Sequence, residues 1–193
     1  MKNKYNMIVA ADKNWCIGNK GDLLDKFPED MKFFKAITTG KVVIMGKNTQ
    51  ESLPKKYLPN RINIVLNNTD VPNELDESSI DTSRTRIWYL KSADVIPLGI
   101  NVFNHSQMYD ANPAKFNYMT DGDVFVCGGG QIYKYFLLND LIGTVYLTEI
   151  DHEYNGDTFI PNLYDLGFEV TDQLFPTFTN DNGIKYTIRV LKK

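Results

Sequence analysis

Asp30 is the leading candidate in this sequence for a residue whose type and position could support chemistry. It falls in the first turn of a predicted helix, which Pro28 can begin because its missing N–H needs no partner there. One face of this helix is apolar, with a spacing of three and four residues, and is formed by Phe27, Met31, Phe34, Ile37 and Thr38. A carboxylate bordering that face is either an ordinary first-turn acid, which the helix dipole favours, or a working group.

Glycines follow two apolar segments that the sequence predicts to be buried strands. Gly128-Gly129-Gly130 follows Cys127 and precedes a predicted helix, and Gly46 precedes Lys47 in the same way. Glycine lets the backbone approach a pyrophosphate, and the free N–H groups at the start of a helix attract an anion. The two turns could bind the two ends of one dinucleotide, although a plain tight turn also explains the glycines. Their spacing matches neither G-x-G-x-x-G nor the P-loop.

Two cations are placed where a ligand could use them. Ligands of open α/β sheets bind outside the carboxyl ends of the strands, and Lys47 follows such an end directly. Arg61 stands at the start of another predicted strand, where its planar guanidinium suits a ligand carboxylate. On the sequence alone, each could equally be an ordinary surface residue.

Predicted strands and helices alternate up to residue 138, and strands follow. Strands are expected at 7–11, 41–46, 61–66, 87–90, 123–130 with its glycine turn, 144–150, 168–170 and 186–191, and helices at 28–37, 47–53 and 131–138. This order predicts an α/β fold with a central, mostly parallel sheet, antiparallel strands at its C-terminal end and flanking helices. We expect a long mobile loop at 15–26 and peripheral insertions at 67–85 and 99–122, within a single domain spanning 1–193.

Composition limits the classes of function. The 193 residues are 42% hydrophobic and 23% charged, as in a globular protein with a real core. A net charge of −3 without basic clusters argues against nucleic acid, and no apolar run is long enough for a transmembrane helix or a signal peptide. The two cysteines lie far apart in the sequence, and only two histidines are present. No metal site is therefore expected, and a reduced, cytoplasmic compartment fits best.

Eight segments, in chain order and over nearly the whole sequence, resemble the successive motifs of dihydrofolate reductases. They are 8–11, 17–18, 27–35, 43–53, 58–61, 127–133, 146–148 and 156–158. The resemblance implies the single-domain fold of that family and the NADPH-dependent reduction of 7,8-dihydrofolate to 5,6,7,8-tetrahydrofolate. It also implies that Asp30 is the catalytic carboxylate and that the peptide bond between Gly128 and Gly129 is cis.

The same resemblance assigns roles to the residues of a substrate site. Asp30 would bind the amino group and a ring nitrogen of the pterin, Thr148 would orient Asp30, and Arg61 would hold the carboxylate of the glutamate tail. Apolar neighbours would exclude water and raise the pKa of Asp30 by desolvation. The substrate-binding residues implied are Ile8, Val9, Ala10, Asp30, Met31, Phe34, Leu53, Leu58, Arg61, Cys127, Tyr133 and Thr148.

A second set of residues would bind the nicotinamide cofactor, which supplies the hydride. The residues implied are Ala10, Ile17, Gly46, Lys47, Asn48, Thr49, Leu66, Asn67, Asn68, Lys91, Cys127, Gly128, Gly129, Gly130, Gln131, Ile132 and Tyr133. The chain would act on this small-molecule substrate as a monomer, without a nucleic-acid or membrane partner.

The sequence departs from the family pattern at several places, and three of these departures bear on the site. Asp25 stands where the family has a tryptophan that helps to position a water, and it could take over that role or lie in solvent. Cys127 replaces a small aliphatic residue, and we expect a buried, inert thiol. Asn67-Asn68 replaces residues that contact the 2′-phosphate of NADPH, so discrimination against NADH is expected to be weak.

Two other functions stay open on the sequence alone. One is a relative on the same fold that reduces another pterin or a pyrimidine, which Asp30 and Arg61 argue against. The other is a protein that binds the nucleotide with weak or no turnover, an interpretation motivated by Asp25.

Overall fold

The computed structural model describes residues 5–67, 85–90 and 124–193. Apart from residues 67 and 85, the insertions predicted at 67–85 and 99–122 lie outside the described residues. Within that part of the chain the strands are β1 Tyr5–Ala11, β2 Cys16–Gly18, β3 Val42–Gly46, β4 Ile62–Leu66, β5 Arg86–Leu90, β6 Val124–Gly128, β7 Ile142–Ile150, β8 Thr158–Phe159, β9 Glu169–Gln173, β10 Phe178–Thr179 and β11 Lys185–Lys192. The helices are α1 Pro28–Thr38, α2 Lys47–Ser52 and α3 Gly130–Leu138.

Nine of the described strands form one sheet. Its order is β10-β11-β7-β1-β6-β3-β4-β5, and β9 pairs with β11 beside this path. Neighbouring strands from β7 to β5 are parallel, whereas β11 is antiparallel to β7, β9 and β10. The predicted α/β fold, mostly parallel with antiparallel C-terminal strands, is therefore confirmed.

The alternation of side chains along β1 separates the core from the candidate site. Met7, Val9 and Ala11 belong to the main core, where they pack with buried residues of the neighbouring strands. Ile8 and Ala10 point to the opposite face of the sheet, because successive side chains of a strand alternate. Ala10 borders a small cavity together with Asp30. The parallel neighbours of β1 thus determine which groups face α1.

Helix α1 begins and ends as its sequence predicts. Pro28 is its first residue, and Gly40 follows its end with a φ of +79°, a left-handed conformation in which glycine is favoured. Phe27 and Thr38 are buried, but the side chain of Met31 is 56% exposed. Met31 is exposed because its side chain lies at the rim of the cavity that Asp30 borders.

The segment 15–26 contains regular structure that the sequence did not indicate. Residues 16–18 form β2, which pairs with β8, and Asn19 and Asp22 form an isolated bridge. A Cβ atom on Gly156 would lie 2.3 Å from Cys16 Sγ and 2.5 Å from the oxygen of Gly18. Only glycine lets these two backbone segments approach so closely. The prediction of an irregular loop over the whole of 15–26 is therefore wrong for 16–18.

Gly156→Ala should destabilise the protein by about 3 kcal/mol, because the added methyl group overlaps with the main chain of β2. Gly40→Ala is the matched control, since a Cβ atom at Gly40 meets nothing within 4 Å. That control should cost about 1 kcal/mol, for the left-handed backbone alone. Urea unfolding measures both losses. Equal losses would contradict the steric explanation.

Candidate active site

Asp30 is a half-buried carboxylate held between α1 and β7. Its Oδ1 accepts a hydrogen bond of 2.5 Å from Thr148 Oγ1, and the register of β1 and β7 places Thr148 beside Ala10. Burial raises the pKa of Asp30, and the bond from Thr148 partly opposes that shift. The predicted direction of this pKa shift and the predicted contact between Asp30 and Thr148 are confirmed.

Glu29 and Asp30 are consecutive acids in opposite environments. Glu29 Oε2 accepts a short hydrogen bond from Tyr186 Oη, and this bond lowers the pKa of Glu29. Burial, followed by the hydrogen bond with Glu29, raises the pKa of Tyr186 to about 12. Asp30 is thus the member of the pair whose pKa burial shifts upward, while hydrogen bonding shifts the pKa of Glu29 downward.

Asp25 borders the same cavity as Asp30, but its carboxylate is fully engaged. Its Oδ2 accepts hydrogen bonds from Tyr154 Oη, Asn180 Nδ2 and Asn182 Nδ2 at 3.0, 3.0 and 2.8 Å, and its Oδ1 accepts one from the N–H of Lys26. These bonds, led by that from Asn182, lower the pKa of Asp25. Asp25 therefore does not lie free in solvent. Burial, and not repulsion between the two acids, raises the pKa of Asp30.

Arg61 is buried, with 5% of its surface exposed. Its Nε donates to Thr38 Oγ1 at 2.9 Å, one terminal nitrogen donates to the carbonyl of Pro59 at 2.6 Å, and the cation lies over the ring of Phe34. Among the described residues it forms no ion pair. Arg61 is thus not an ordinary surface residue, and the end of α1 holds its guanidinium in a fixed orientation.

Three of the predicted apolar residues belong to one hydrophobic cluster. Leu53, Leu58 and Cys127 pack against the buried side chains of β3 and β4. Burial raises the pKa of the Cys127 thiol, which fits the inert thiol expected from the sequence. Tyr133 lies in the core, and its hydroxyl donates a 2.6 Å hydrogen bond to the carbonyl of Ile8.

Two glycine turns meet at the carboxyl edge of the sheet. Met45 and Gly128 are paired in the register of β3 and β6, so the starts of α2 and α3 are adjacent. A Cβ on Gly129 would lie 3.0 Å from Thr49 Oγ1, and one on Gly46 would lie 3.0 Å from Ile132 Cγ1. A Cβ on Gly130 would meet Thr158 at 2.9 Å and Ile17 at 3.9 Å.

Neither of these helices has a side-chain hydrogen bond at its N-cap, and the peptide bond between Gly128 and Gly129 is cis, as predicted. The turns therefore form a close cradle of main-chain atoms. Asn48 and Gln131 are exposed in the first turns of the two helices, and Lys47 is paired with Glu51 at 3.7 Å.

Some predicted ligand residues have other positions. The side chains of Val9 and Leu66 belong to the core, because both lie on the buried face of their strands, so only their main-chain atoms can reach a ligand. Asn67 is buried at the end of β4. Asn68 and Lys91 lie outside the described residues.

Sequence reasoning missed the partners of Asp25. Tyr154, Asn180 and Asn182 are 129 to 157 residues away from it along the chain. The dipeptide Asn182-Gly183 does signal a tight turn before the last strand. It could have located the turn, but no local pattern links that turn to Asp25.

Comparisons with known proteins agree with this fold. The sequence model of a family described as dihydrofolate reductase matches residues 4–193. The dihydrofolate reductase of Aedes albopictus is 30% identical over 98% of this chain and 97% of its own length. That of Buchnera aphidicola is 34% identical over 81% and 78%. The fold and site thus define an α/β protein with a half-buried acid and glycine turns at the carboxyl edge of its sheet. The chain belongs to the dihydrofolate reductase family.

Longer relatives also match. A bifunctional dihydrofolate reductase-thymidylate synthase of Arabidopsis thaliana is 31% identical over 98% of this chain, which spans 32% of that relative's length. The chain thus covers about a third of the bifunctional relatives that it matches. Among the described residues, no helix has the length and apolar character needed to cross a membrane.

Asp30→Asn should increase the free energy of unfolding at neutral pH. Burial raises the folded-state pKa of Asp30 above the ordinary 3.8, so its contribution to stability is full below that value and is lost as pH rises through the folded pKa. Asparagine stays neutral and avoids this loss. Urea unfolding from pH 4 to 8 should therefore show a smaller decline in the variant.

Glu29→Gln is the matched control, with the opposite sign. The folded-state pKa of Glu29 is lowered, so its contribution is present above the ordinary 4.5 and is lost as pH falls through the folded pKa. Removing that carboxylate should lower stability at neutral pH. A decline with pH in Asp30→Asn as large as in the unaltered protein would contradict the burial argument.

Proposed function

We propose that this chain reduces 7,8-dihydrofolate to 5,6,7,8-tetrahydrofolate, with NADPH as the source of hydride. The observation that carries the proposal is the half-buried carboxylate of Asp30, which Thr148 orients and whose pKa burial raises. A carboxylate in this environment can both bind a pterin and take part in proton transfer near neutral pH. Membership of the family and the names of its relatives in Aedes and Buchnera support the substrate class.

Asp30 would orient the pterin ring. A carboxylate has two acceptor oxygens, so it can accept one hydrogen bond from the amino group of the pterin and another from the adjacent ring nitrogen. Thr148 holds one of these oxygens in place. The cavity beside Asp30 has a volume of about 30 Å³, which is enough for a water molecule. A proton could reach the pterin through such a water while Asp30 fixes the ring.

Arg61 would bind the other end of the substrate. Its guanidinium is buried and pre-oriented by Thr38 and the carbonyl of Pro59, and among the described residues no carboxylate neutralises it. A planar fork held in this way suits the α-carboxylate of a glutamate tail. The hydrophobic cluster that contains Leu53, Leu58 and Cys127 could contact the middle of the substrate.

The cradle of glycines fits a dinucleotide. Methyl groups at Gly46, Gly129 or Gly130 would collide with Ile132, Thr49 or Thr158, and the free N–H groups at the starts of α2 and α3 suit phosphate oxygens. When bound, NADPH would supply the hydride.

The cations around this cradle bear on the choice between NADPH and NADH. Lys47 could leave Glu51 to contact a phosphate, because surface ion pairs of this kind contribute little. Asn67 stands where family members contact the 2′-phosphate, so we expect NADPH to be preferred over NADH by a modest factor.

Other features of the protein stay proposals. Both cysteines are free in the structure, which fits a reducing compartment such as the cytoplasm. The single domain over 1–193 and the monomeric state stay predictions.

Asp30→Asn should lower the turnover of dihydrofolate by about 10²- to 10⁴-fold, because the neutral amide cannot support proton transfer and keeps only one acceptor oxygen for the pterin. The affinity for NADPH should stay within twofold. Loss of the reduced-nicotinamide absorbance with dihydrofolate measures turnover, with NADPH and NADH run in parallel. Glu29→Gln is the control and should retain turnover. Unchanged turnover in Asp30→Asn would remove Asp30 from the mechanism.

Arg61→Lys should raise KM for dihydrofolate by about 10- to 100-fold, because the ammonium group loses the two parallel hydrogen bonds of the guanidinium. The matched control is a change of substrate. Dihydropteroate lacks the glutamate tail, so its KM should change by less than threefold. Equal increases for both substrates would show that Arg61 supports only the local structure. NADPH binding without turnover of either substrate in the unaltered protein would instead favour a nucleotide-binding relative.

A further inference from the structure

The carboxylate of Asp25 joins three segments of the chain that are distant in sequence. Asp25 belongs to the segment 19–26, which links β2 to α1. Its Oδ2 accepts hydrogen bonds from Tyr154, which follows β7, and from Asn180 and Asn182, which lie between β10 and β11. Asn180 Nδ2 also lies within 3.4 Å of the carbonyl of Lys26. We refer to this set of bonds as the Asp25 anchor.

The turn that supplies two of these donors is itself well ordered. Asn180 is buried, and its Oδ1 accepts the N–H groups of Asn182 and Ile184 at 3.0 and 2.9 Å. Its N–H donates to the carbonyl of Ile184, and its carbonyl accepts the N–H of Gly183. The amide groups are thus oriented before they meet Asp25, so little freedom is lost when the anchor forms.

An apolar cluster lies beside the anchor. Phe27 and Tyr186 meet edge to face at 4.9 Å, and Leu24, Tyr154 and Ile184 pack against the same cluster. Residues on both sides of Asp25 therefore contact the sheet. Leu24, Phe27 and Asp25 also line the cavity that contains Asp30.

The other end of the segment is fastened separately. Asp157 Oδ2 accepts the N–H of Lys20 at 2.9 Å, and its own N–H donates to the carbonyl of Gly18. This end lies near the proposed nucleotide cradle, because Thr158 and Ile17 are neighbours of Gly130. The hydrogen bonds of Asp157 thus lie near the glycine turns, and those of Asp25 lie near the cavity beside Asp30.

We propose that Asp25 is a positioning residue, whose anchor holds the segment 19–26 so that Leu24 and Phe27 stay beside Asp30, where the pterin binds against them. This inference rests on the proposed function, since it places that substrate next to Asp30. It goes further because it gives Asp25, which stands where the family has tryptophan, a role in positioning Leu24 and Phe27. Asp25 does not supply the proton, because four hydrogen bonds stabilise its ionised form.

The first test uses Asp25→Asn, which removes the charge and leaves at least one donor of the anchor without an acceptor. Hydrogen–deuterium exchange of the amides in 19–26 should accelerate by about tenfold, since charge-assisted bonds are lost. The dissociation constant for dihydrofolate, followed by tryptophan fluorescence and so independent of turnover, should rise by about 5- to 10-fold. The dissociation constant for NADPH should stay within twofold.

The matched control is Asp22→Asn. Asp22 is an exposed acid in the same segment, and among the described residues its carboxylate makes no hydrogen bond. The control removes the same charge without touching the anchor, so exchange and both dissociation constants should stay within twofold. A second variant combines Asp25→Asn with Asn182→Asp. It restores one charged hydrogen bond between the two positions. It should recover at least half of the lost affinity for dihydrofolate.

Each outcome decides a different question. Unchanged exchange in Asp25→Asn would show that the anchor does not hold the segment. Faster exchange with unchanged affinity for dihydrofolate would overturn the positioning role, as would equal losses for dihydrofolate and NADPH. A failure of the double variant to recover affinity would have the same meaning. If the unaltered protein binds dihydrofolate but does not reduce it, the proposed reaction fails while the anchor is still tested by the binding data.

Discussion

The position of β1 between β6 and β7 is the constraint on which the site depends. Its parallel register with β7 places Ala10 beside Thr148, and the hydroxyl of Thr148 then reaches Asp30 on α1. On the other side, β6 delivers its glycine turn to the same carboxyl edge, where Gly128 is paired with Met45 of β3. Because parallel strands bring their carboxyl ends together, one arrangement of the sheet positions both the threonine that contacts Asp30 and the glycine turns.

Three acids around one end of α1 show how environment, and not residue type, determines chemistry. Asp25 accepts four hydrogen bonds and Glu29 accepts one from Tyr186, so both carboxylates are stabilised in the ionised form. Asp30 accepts a single side-chain bond, and burial outweighs it. Among these three acids within six residues of sequence, only Asp30 thus has an environment that disfavours its charged form.

The parts of this architecture that the sequence predicted are those with local causes. Pro28 and Gly40 mark the ends of α1, and continuous β-branched and apolar runs mark β3 and β4. The placement of Asp30, Arg61 and the glycine turns on these elements followed from the sequence pattern, and a resemblance over eight motifs gave Asp30 and Arg61 their predicted roles. That resemblance assigned Arg61 to a ligand, whereas its burial among Thr38, Pro59 and Phe34 came only from the structure.

The parts that the sequence did not predict depend on contacts between distant segments. Strands as short as β2, β8 and β10 carry no periodic pattern, because two or three residues cannot show one. Gly156 looks like an ordinary loop glycine until its contact with Cys16 is known. Asp25 presents the same difficulty for function, since its charge suggests a proton donor or a solvated acid when read locally. Its three side-chain donors come from beyond residue 150. Their hydrogen bonds to Asp25 connect those distant segments to the chain next to Asp30.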